Sequence, residues 1–272
     1  MNSQIFGTKG KFVHFAHGNG LPPATYTELL DNLGHNYHVV AMDQRPLWQR
    51  YEQKSRCCTW TKMAQDQIDF LQHQALGPVV AIGHSMGANI SLMAACLKPE
   101  LYRALVLIDP VALPSFYTHA LYWTPTFLKH RIKLVKRTLK RPDRWPSITD
   151  CYAFHRSKKV FSGIMDQALW HYIEAATEAD IDGVKLRYSK LWEAHIYCSP
   201  PSIWPYVNTC SCPQLMIRGQ YSNTLSVMAW QRWQWQRPEQ HYVQVDDVGH
   251  LLPMEKPVEV AQLAHQFMVR LP

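Results

Sequence analysis

The sequence predicts an α/β fold: a mainly parallel central sheet with helices on both faces and a helical insertion between two parts of the core. Short β-branched runs alternate with segments of helical periodicity as far as Ile108. After Asp109-Pro110 the rhythm breaks, and the chain becomes rich in aromatics, prolines and charges. The alternation returns at Gln214 and continues into a last helical segment. The expected division is residues 1–110 for the first part of the core, 111–211 for the insertion and 212–272 for the second part of the core.

Each element has a local reason. Phe12–Ala16 and Tyr37–Met42 are apolar runs of strand length, separated by a helical stretch from about Ala24 to Leu33. Thr61–His73 carries Met63, Ile68 and Leu71 at spacings that suit one helix face. Gly77-Pro78 punctuates the chain, Val79–Ile82 reads as a buried strand, and Ile90–Leu97 reads as a helix. Ala104–Ile108 is a further apolar strand. Within the insertion, Ile164–Thr177 has helical periodicity. Gln214–Ile217 and His241–Val245 return to strand, and Val258–Val269 closes as a helix. There is no internal repeat and no low-complexity tract.

Composition narrows the classes. A chain of 272 residues with 47% hydrophobic and 18% charged residues can bury a sizeable core. No basic-then-apolar leader opens it, and no apolar run is long enough to span a bilayer. Seven cysteines, an odd number, form no convincing disulfide framework. Cys57-Cys58 and Cys210-Ser-Cys212 lack zinc-ligand spacing, so free thiols in a cytoplasmic protein without metal are expected. The formal net charge is +7, yet residues 129–159 hold eleven Lys or Arg against Asp143 and Asp150; that segment carries +9 and the remainder −2. Such a field suits an anionic substrate or a transient acidic membrane surface, or is simply a solvated helical face. No nucleic-acid recognition motif accompanies it, so no nucleic-acid partner is expected.

The chemistry centres on Gly83-His-Ser85-Met-Gly87. The G-x-S-x-G pattern alone arises by chance in roughly one chain in ten of this length. Here it sits between a β-branched strand and a small-residue helix, the strand–turn–helix context that exposes a serine Oγ at the top of a sheet. A nucleophilic serine needs a base, and Val248-Gly-His250 follows the final predicted strand, which brings His250 to the same sheet edge. Oxyanion donors are expected from the backbone of Asn19, in His17-Gly-Asn-Gly20 at the end of an early strand, and from Met86, just after the serine. His17 reads as a structural hydrogen-bonder.

With these three motifs in order, the chain resembles the α/β-hydrolase superfamily across its whole length outside the insertion. Asp43-Gln-Arg-Pro46 is similar to a turn of that family, with Pro46 where glycine is common. The resemblance implies that the insertion is a cap forming much of the substrate pocket. It also implies acyl transfer or hydrolysis without metal or organic cofactor; Ser85 in place of Asp argues against dehalogenase or epoxide hydrolase chemistry.

The third member departs from the family pattern. Relatives carry Asp in a Gly-x-x-Asp turn, whereas Gly219-Gln-Tyr-Ser222-Asn223 has no carboxylate. Asp109, at the end of Ala104–Ile108 and just before Pro110, is the strongest replacement, similar to the acid of some lipases in the superfamily. Ser222 and Asn223 remain alternatives without charge, and Asp246 and Asp247 lie near His250 in sequence. The expected reaction is hydrolysis of a moderately hydrophobic carboxylic ester through a Ser85 acyl-enzyme, with Phe116, Tyr117, Tyr122, Trp123, Trp170, Tyr172, Tyr188 and Trp192 available for apolar walls. Thioester, lactone or C–C substrates would use the same machinery. A non-catalytic ligand-binding or signalling role on the scaffold is the alternative class. The sequence leaves the oligomeric state open.

Overall fold

A computed structural model describes residues 1–48 and 58–271. Its main sheet contains β1 (Ser3–Phe6), β2 (Phe12–Ala16), β3 (His38–Met42), β4 (Val79–His84), β5 (Tyr102–Ile108), β9 (Gln214–Gly219) and β10 (His241–Val245), in the spatial order β1-β3-β2-β4-β5-β9-β10. All neighbouring pairs are parallel except β1 with β3. The burial of each strand follows its place. Every residue of β4 is buried, because helices cover both faces of a central parallel strand; this is why its sequence is a continuous apolar run. At the edge, β1 alternates between exposed and half-buried positions.

One core layer packs helix Thr27–Gly34 and helix Pro257–Val269 against one face of the sheet, through residues such as Leu29, Leu33, Val260 and Phe267. The other layer packs helix Trp60–His73 and helix Met86–Leu97 against the opposite face, through Met63, Ile68, Ile90 and Leu92. Fully burying each such aliphatic side chain contributes roughly 1.5–3 kcal/mol before chain entropy is counted. The chain runs from β2 outward to β3, then crosses back past β2 to β4. The carboxyl ends of β2 and β4 therefore flank the point where the winding reverses, the usual crevice for a ligand in an open α/β sheet.

A large, mainly helical cap insertion separates β5 from β9. It also holds an antiparallel three-stranded sheet, β6 (Arg144–Trp145), β7 (Thr177–Asp180) and β8 (Gly183–Leu186), which sequence periodicity did not reveal. The helix expected over Ile164–Thr177 spans Asp166–Ala176, and Thr177 begins β7 instead. Trp145, Leu169 and Ile173 belong to a further apolar cluster that joins the cap to Leu251 and Met254 of the core. Cys58, Cys96, Cys151, Cys198, Cys210 and Cys212 are free thiols, while Cys57 lies outside the described residues. Among the described residues, no helix is long and apolar enough to cross a membrane.

Candidate active site

Strand register decides which side chains meet. His84 pairs with Ile108 across β4 and β5, so the next residues, Ser85 and Asp109, leave adjacent strands side by side. Ile108 pairs with Ile217, and Gly219 with Val245, which carries the same edge through β9 to the loop bearing His250. On the other side Ala16 pairs with Gly83, placing His17–Gly20 next to the turn that holds Ser85. Five consecutive strand ends thus supply one constellation.

Ser85 occupies a sharp turn with φ 54° and ψ −120°, a conformation that L side chains rarely adopt. Its N–H donates to the Ile108 carbonyl at 2.9 Å, so the ladder continues up to the bend. Gly87 permits the bend: a Cβ there would collide with the Ala16 carbonyl. Met86 is the first residue of helix Met86–Leu97, and its N–H has no carbonyl four residues back to bind. The positive end of that helix faces the site.

A continuous line of hydrogen bonds leaves Ser85. The Asp109 carboxylate only accepts, so His250 Nδ1 carries the proton and donates to Asp109 Oδ2 at 2.6 Å. His250 Nε2 then has a lone pair free and accepts from Ser85 Oγ at 2.9 Å. Asp109 itself is fully buried with φ 44°. Burying a carboxylate is costly unless its oxygens are satisfied. Ser222 Oγ donates to Oδ2 at 2.6 Å, Thr224 Oγ1 donates to Oδ2 at 2.8 Å and the Gly219 N–H donates to Oδ1 at 3.2 Å. The hydroxyl of Thr224 also lies 2.9 Å from His250 Nδ1.

The remaining candidates fall as follows. Ser222 turns its hydroxyl to Asp109, and Asn223 is exposed on the same turn. Asp246 and Asp247 are exposed; Asp247 Oδ1 accepts from Tyr221 at 3.5 Å. His17 is locked into the loop: Nδ1 donates to the Gly18 carbonyl at 2.9 Å, and Nε2 accepts the Gln44 N–H at 3.1 Å. Burial lowers its pKa to about 4, although the Gly18 carbonyl opposes the shift, so the ring is neutral near pH 7. Asn19 is clasped by the cap: its Nδ2 donates to the Glu193 carbonyl at 3.1 Å, and Tyr188 donates to its Oδ1 at 2.9 Å.

Sequence reasoning passed over the group that ties these loops together. His84, the variable residue before Ser85, is fully buried, and its ring lies 4.8 Å from that of His250. His84 Nε2 donates to the His250 carbonyl at 2.9 Å, and Nδ1 accepts from Tyr26 at 2.8 Å. The Tyr26 oxygen in turn accepts the Gly18 N–H at 3.0 Å. Burial, and then the neighbouring His250, lower the His84 pKa to about 3, which keeps it neutral; the His250 carbonyl, which only accepts, puts its one proton on Nε2. Thr224 and Glu193 were likewise passed over, and Tyr188, read only as an available apolar wall, turns its hydroxyl to Asn19. A histidine inside G-x-S-x-G, with a tyrosine in the helix after the first glycine loop, was the available signal for His84 and Tyr26.

The aromatics considered as cap walls divide into two sets. Tyr172, Tyr188 and Trp192 are buried, and Trp170 stacks on Tyr152 at 4.2 Å. Phe116, Tyr117, Tyr122 and Trp123 face outward.

Comparison with known proteins places this geometry. The pattern describing the Alpha/beta hydrolase family matches residues 15–263. The chain is 29% identical over 198 residues to the type I acyl-CoA thioesterase mpaH of Penicillium brevicompactum, covering 63% of this chain and 42% of that protein. It therefore spans less than half the length of that curated relative. It is also 29% identical over 111 residues to the karrikin insensitive 2 receptor CA of Petunia hybrida, with 40% of this chain and 41% of that one covered. Among solved structures, E-2-(acetamidomethylene)succinate hydrolase superposes with a TM-score of 0.80 at 22% identity, covering 98% of this chain and 94% of its own. With the sheet order, the strand-end loops and a match over most of its length, the chain belongs to the alpha/beta hydrolase family.

Proposed function

We propose that the protein is a serine hydrolase that cleaves an acyl ester or thioester of moderately hydrophobic character through an acyl-enzyme. The observation that supports this most is the unbroken line Ser85 Oγ–His250–Asp109, with Nδ1 protonated toward the carboxylate and Nε2 free toward the serine. In this reading His250 removes the Ser85 proton as Oγ attacks the carbonyl carbon. The backbone N–H groups of Asn19 and Met86 stabilise the oxyanion, where loss of one donor typically costs about 3–4 kcal/mol. Collapse of the tetrahedral intermediate expels the alcohol or thiol, which takes its proton from His250. Water, activated by the same imidazole, then releases the acid and regenerates Ser85. Asp109 holds the productive tautomer and offsets the imidazolium charge, while Ser222 and Thr224 hold Asp109.

Thioesters belong in the proposal because the Penicillium relative is named an acyl-CoA thioesterase. A non-catalytic ligand-binding role drew its support from the missing carboxylate at Gly219–Asn223, and it loses that support when another carboxylate already faces Nδ1. The test is turnover of matched oxygen esters and thioesters of graded acyl length by wild type and S85A. Turnover of at least one series, lost in S85A, is expected; binding of these compounds without turnover by the wild type would reject the hydrolase reading.

A further inference from the structure

Apolar side chains that belong in a core crowd one part of the cap surface. In helix Ser115–Trp123 and the short helix Thr126–Lys129 that follows, Phe116 is 76% exposed, Tyr122 74%, Trp123 81% and Phe127 66%. Phe116, Ala120 and Trp123 lie four and three residues apart, so they share one helix face, while Thr118 and Leu121 turn inward. Exposed large apolar residues scattered singly are ordinary, but a contiguous cluster marks a surface meant to be covered.

The charge that follows this cluster along the chain narrows what covers it. Between Phe116 and Lys140 the chain has six Lys or Arg and no Asp or Glu. Helix Lys133–Lys140 buries Val135 and Thr138 and leaves Lys133, Leu134, Lys136, Arg137 and Lys140 outside. Two cations further along are spent internally: Arg141 pairs with Glu193 at 2.6 Å, and Arg156 binds the Ile164 carbonyl at 2.7 Å. The exposed lysines of helix Lys133–Lys140 have no such duty among the described residues. Apolar anchors followed directly by a cationic helix form the arrangement that seats a peripheral protein on an anionic bilayer: rings enter the headgroup boundary and cations meet the phosphates. A second copy of this face would bring like charges together.

We infer that the cap segment Phe116–Lys140 is a docking surface for an anionic lipid bilayer, with Phe116, Tyr122, Trp123 and Phe127 as interfacial anchors and Lys133, Lys136, Arg137 and Lys140 as the electrostatic contact. The inference is independent of the proposed reaction. It has a spatial consequence, because the segment leaves the core beside the site: the Ala112 N–H donates to the Thr224 carbonyl at 3.2 Å, only three residues before helix Ser115–Trp123. A docked protein holds its cap entrance next to the membrane.

The test is co-flotation of the full chain with phosphatidylcholine vesicles in which about a third of the lipid is phosphatidylglycerol, against pure phosphatidylcholine. Preferential binding to the anionic vesicles is expected, weakened by high salt. K133Q/K136Q/K140Q should lower the partition coefficient by about a hundredfold, at roughly fivefold per charge. F116S/W123S/F127S should lower it by about tenfold or more. These side chains are exposed, and far-UV circular dichroism checks that the variants fold. Brominated lipid should quench a tryptophan signal that W123F loses and W235F, whose residue is exposed elsewhere, keeps. Equal partition of wild type and both triple variants, or quenching unchanged in W123F, overturns the inference. So does self-association, or binding to a polyuridine probe, that depends on these residues while the vesicles stay bare.

Discussion

Replacing Asp109 by Asn changes one atom and separates a charged orienter from a mere spacer. In the wild type, Oδ2 accepts from His250, Ser222 and Thr224, and Oδ1 accepts the Gly219 N–H. An amide cannot serve both sides. If its oxygen stays on the Gly219 N–H, its NH₂ faces Nδ1 and two hydroxyls; Nδ1 must then accept, and the imidazole proton moves to Nε2. That nitrogen then presents N–H to Ser85 Oγ and cannot take its proton. Flipping the amide restores Nδ1 as donor but sets NH₂ against the Gly219 N–H. Loss of one charge-assisted hydrogen bond is worth about 1.5–3 kcal/mol, or roughly 10- to 150-fold in rate. The wrong tautomer costs more: the same exchange in a serine protease lowers kcat by about 10⁴, near 5.5 kcal/mol. D109N is therefore expected to lose about 10³–10⁴ in kcat on the best ester or thioester found, with KM changed little, and to react with an organophosphonate more slowly by a similar factor. Circular dichroism and the thermal midpoint control for folding. A D109N enzyme within about tenfold of wild type, alongside a larger loss in S222A or N223A, would refute this assignment of the acid.

Three other outcomes follow from the surroundings of the site. H84F keeps a ring against His250 but strips the donor from the His250 carbonyl and the acceptor from Tyr26; kcat should fall about tenfold with stability lower by about 1–3 kcal/mol, read from steady-state rates and urea unfolding. Y188F removes the hydroxyl that binds Asn19 Oδ1; with the oxyanion role proposed for the Asn19 backbone, the loosened loop should lower kcat by about three- to tenfold with little effect on KM. His14 on β2 is buried with neither ring nitrogen partnered among the described residues, and burial, then His17, lowers its pKa from 6.5 to about 3. Below pH 6.5 the unfolded chain takes up this proton and the folded chain does not, so stability present above pH 6.5 is lost as pH falls toward 3. Near pH 5 the loss is about 2 kcal/mol, so H14L should narrow the gap between urea midpoints at about pH 8 and about pH 5. An unchanged gap would contradict the burial of a neutral His14.

Much of this arrangement was legible because the core strands announce themselves. Val79–Ile82 reads as a central strand since burial on both faces demands an unbroken apolar run, and Ser85 and His250 follow from the strand ends that precede them. Asp109 was visible as an acid closing an apolar strand, but its meeting with His250 depends on register across β5, β9 and β10, which is non-local. For the same reason Ser222 read as an imidazole partner, whereas its hydroxyl serves the carboxylate. β1 was missed because four residues with only half-buried alternate positions carry little periodicity. Strand β7 was missed because Thr177-Glu-Ala-Asp180 looks polar, and only its pairing with β8 makes it a strand. Phe116 and Trp123, counted only among the aromatics available for apolar walls, are exposed; apolar composition gives no hint of which side of a cap a residue faces.

The measurement that bears most directly on the proposed chemistry is the intact mass of the protein after brief reaction with a slowly hydrolysed acyl ester, or with an organophosphonate, followed by peptide mapping. One adduct on the peptide carrying Ser85, absent from S85A and slowed in D109N by the same factor as turnover, is the expected result. Turnover that persists in S85A, or an adduct that maps to another residue while Ser85 stays unmodified, would contradict it.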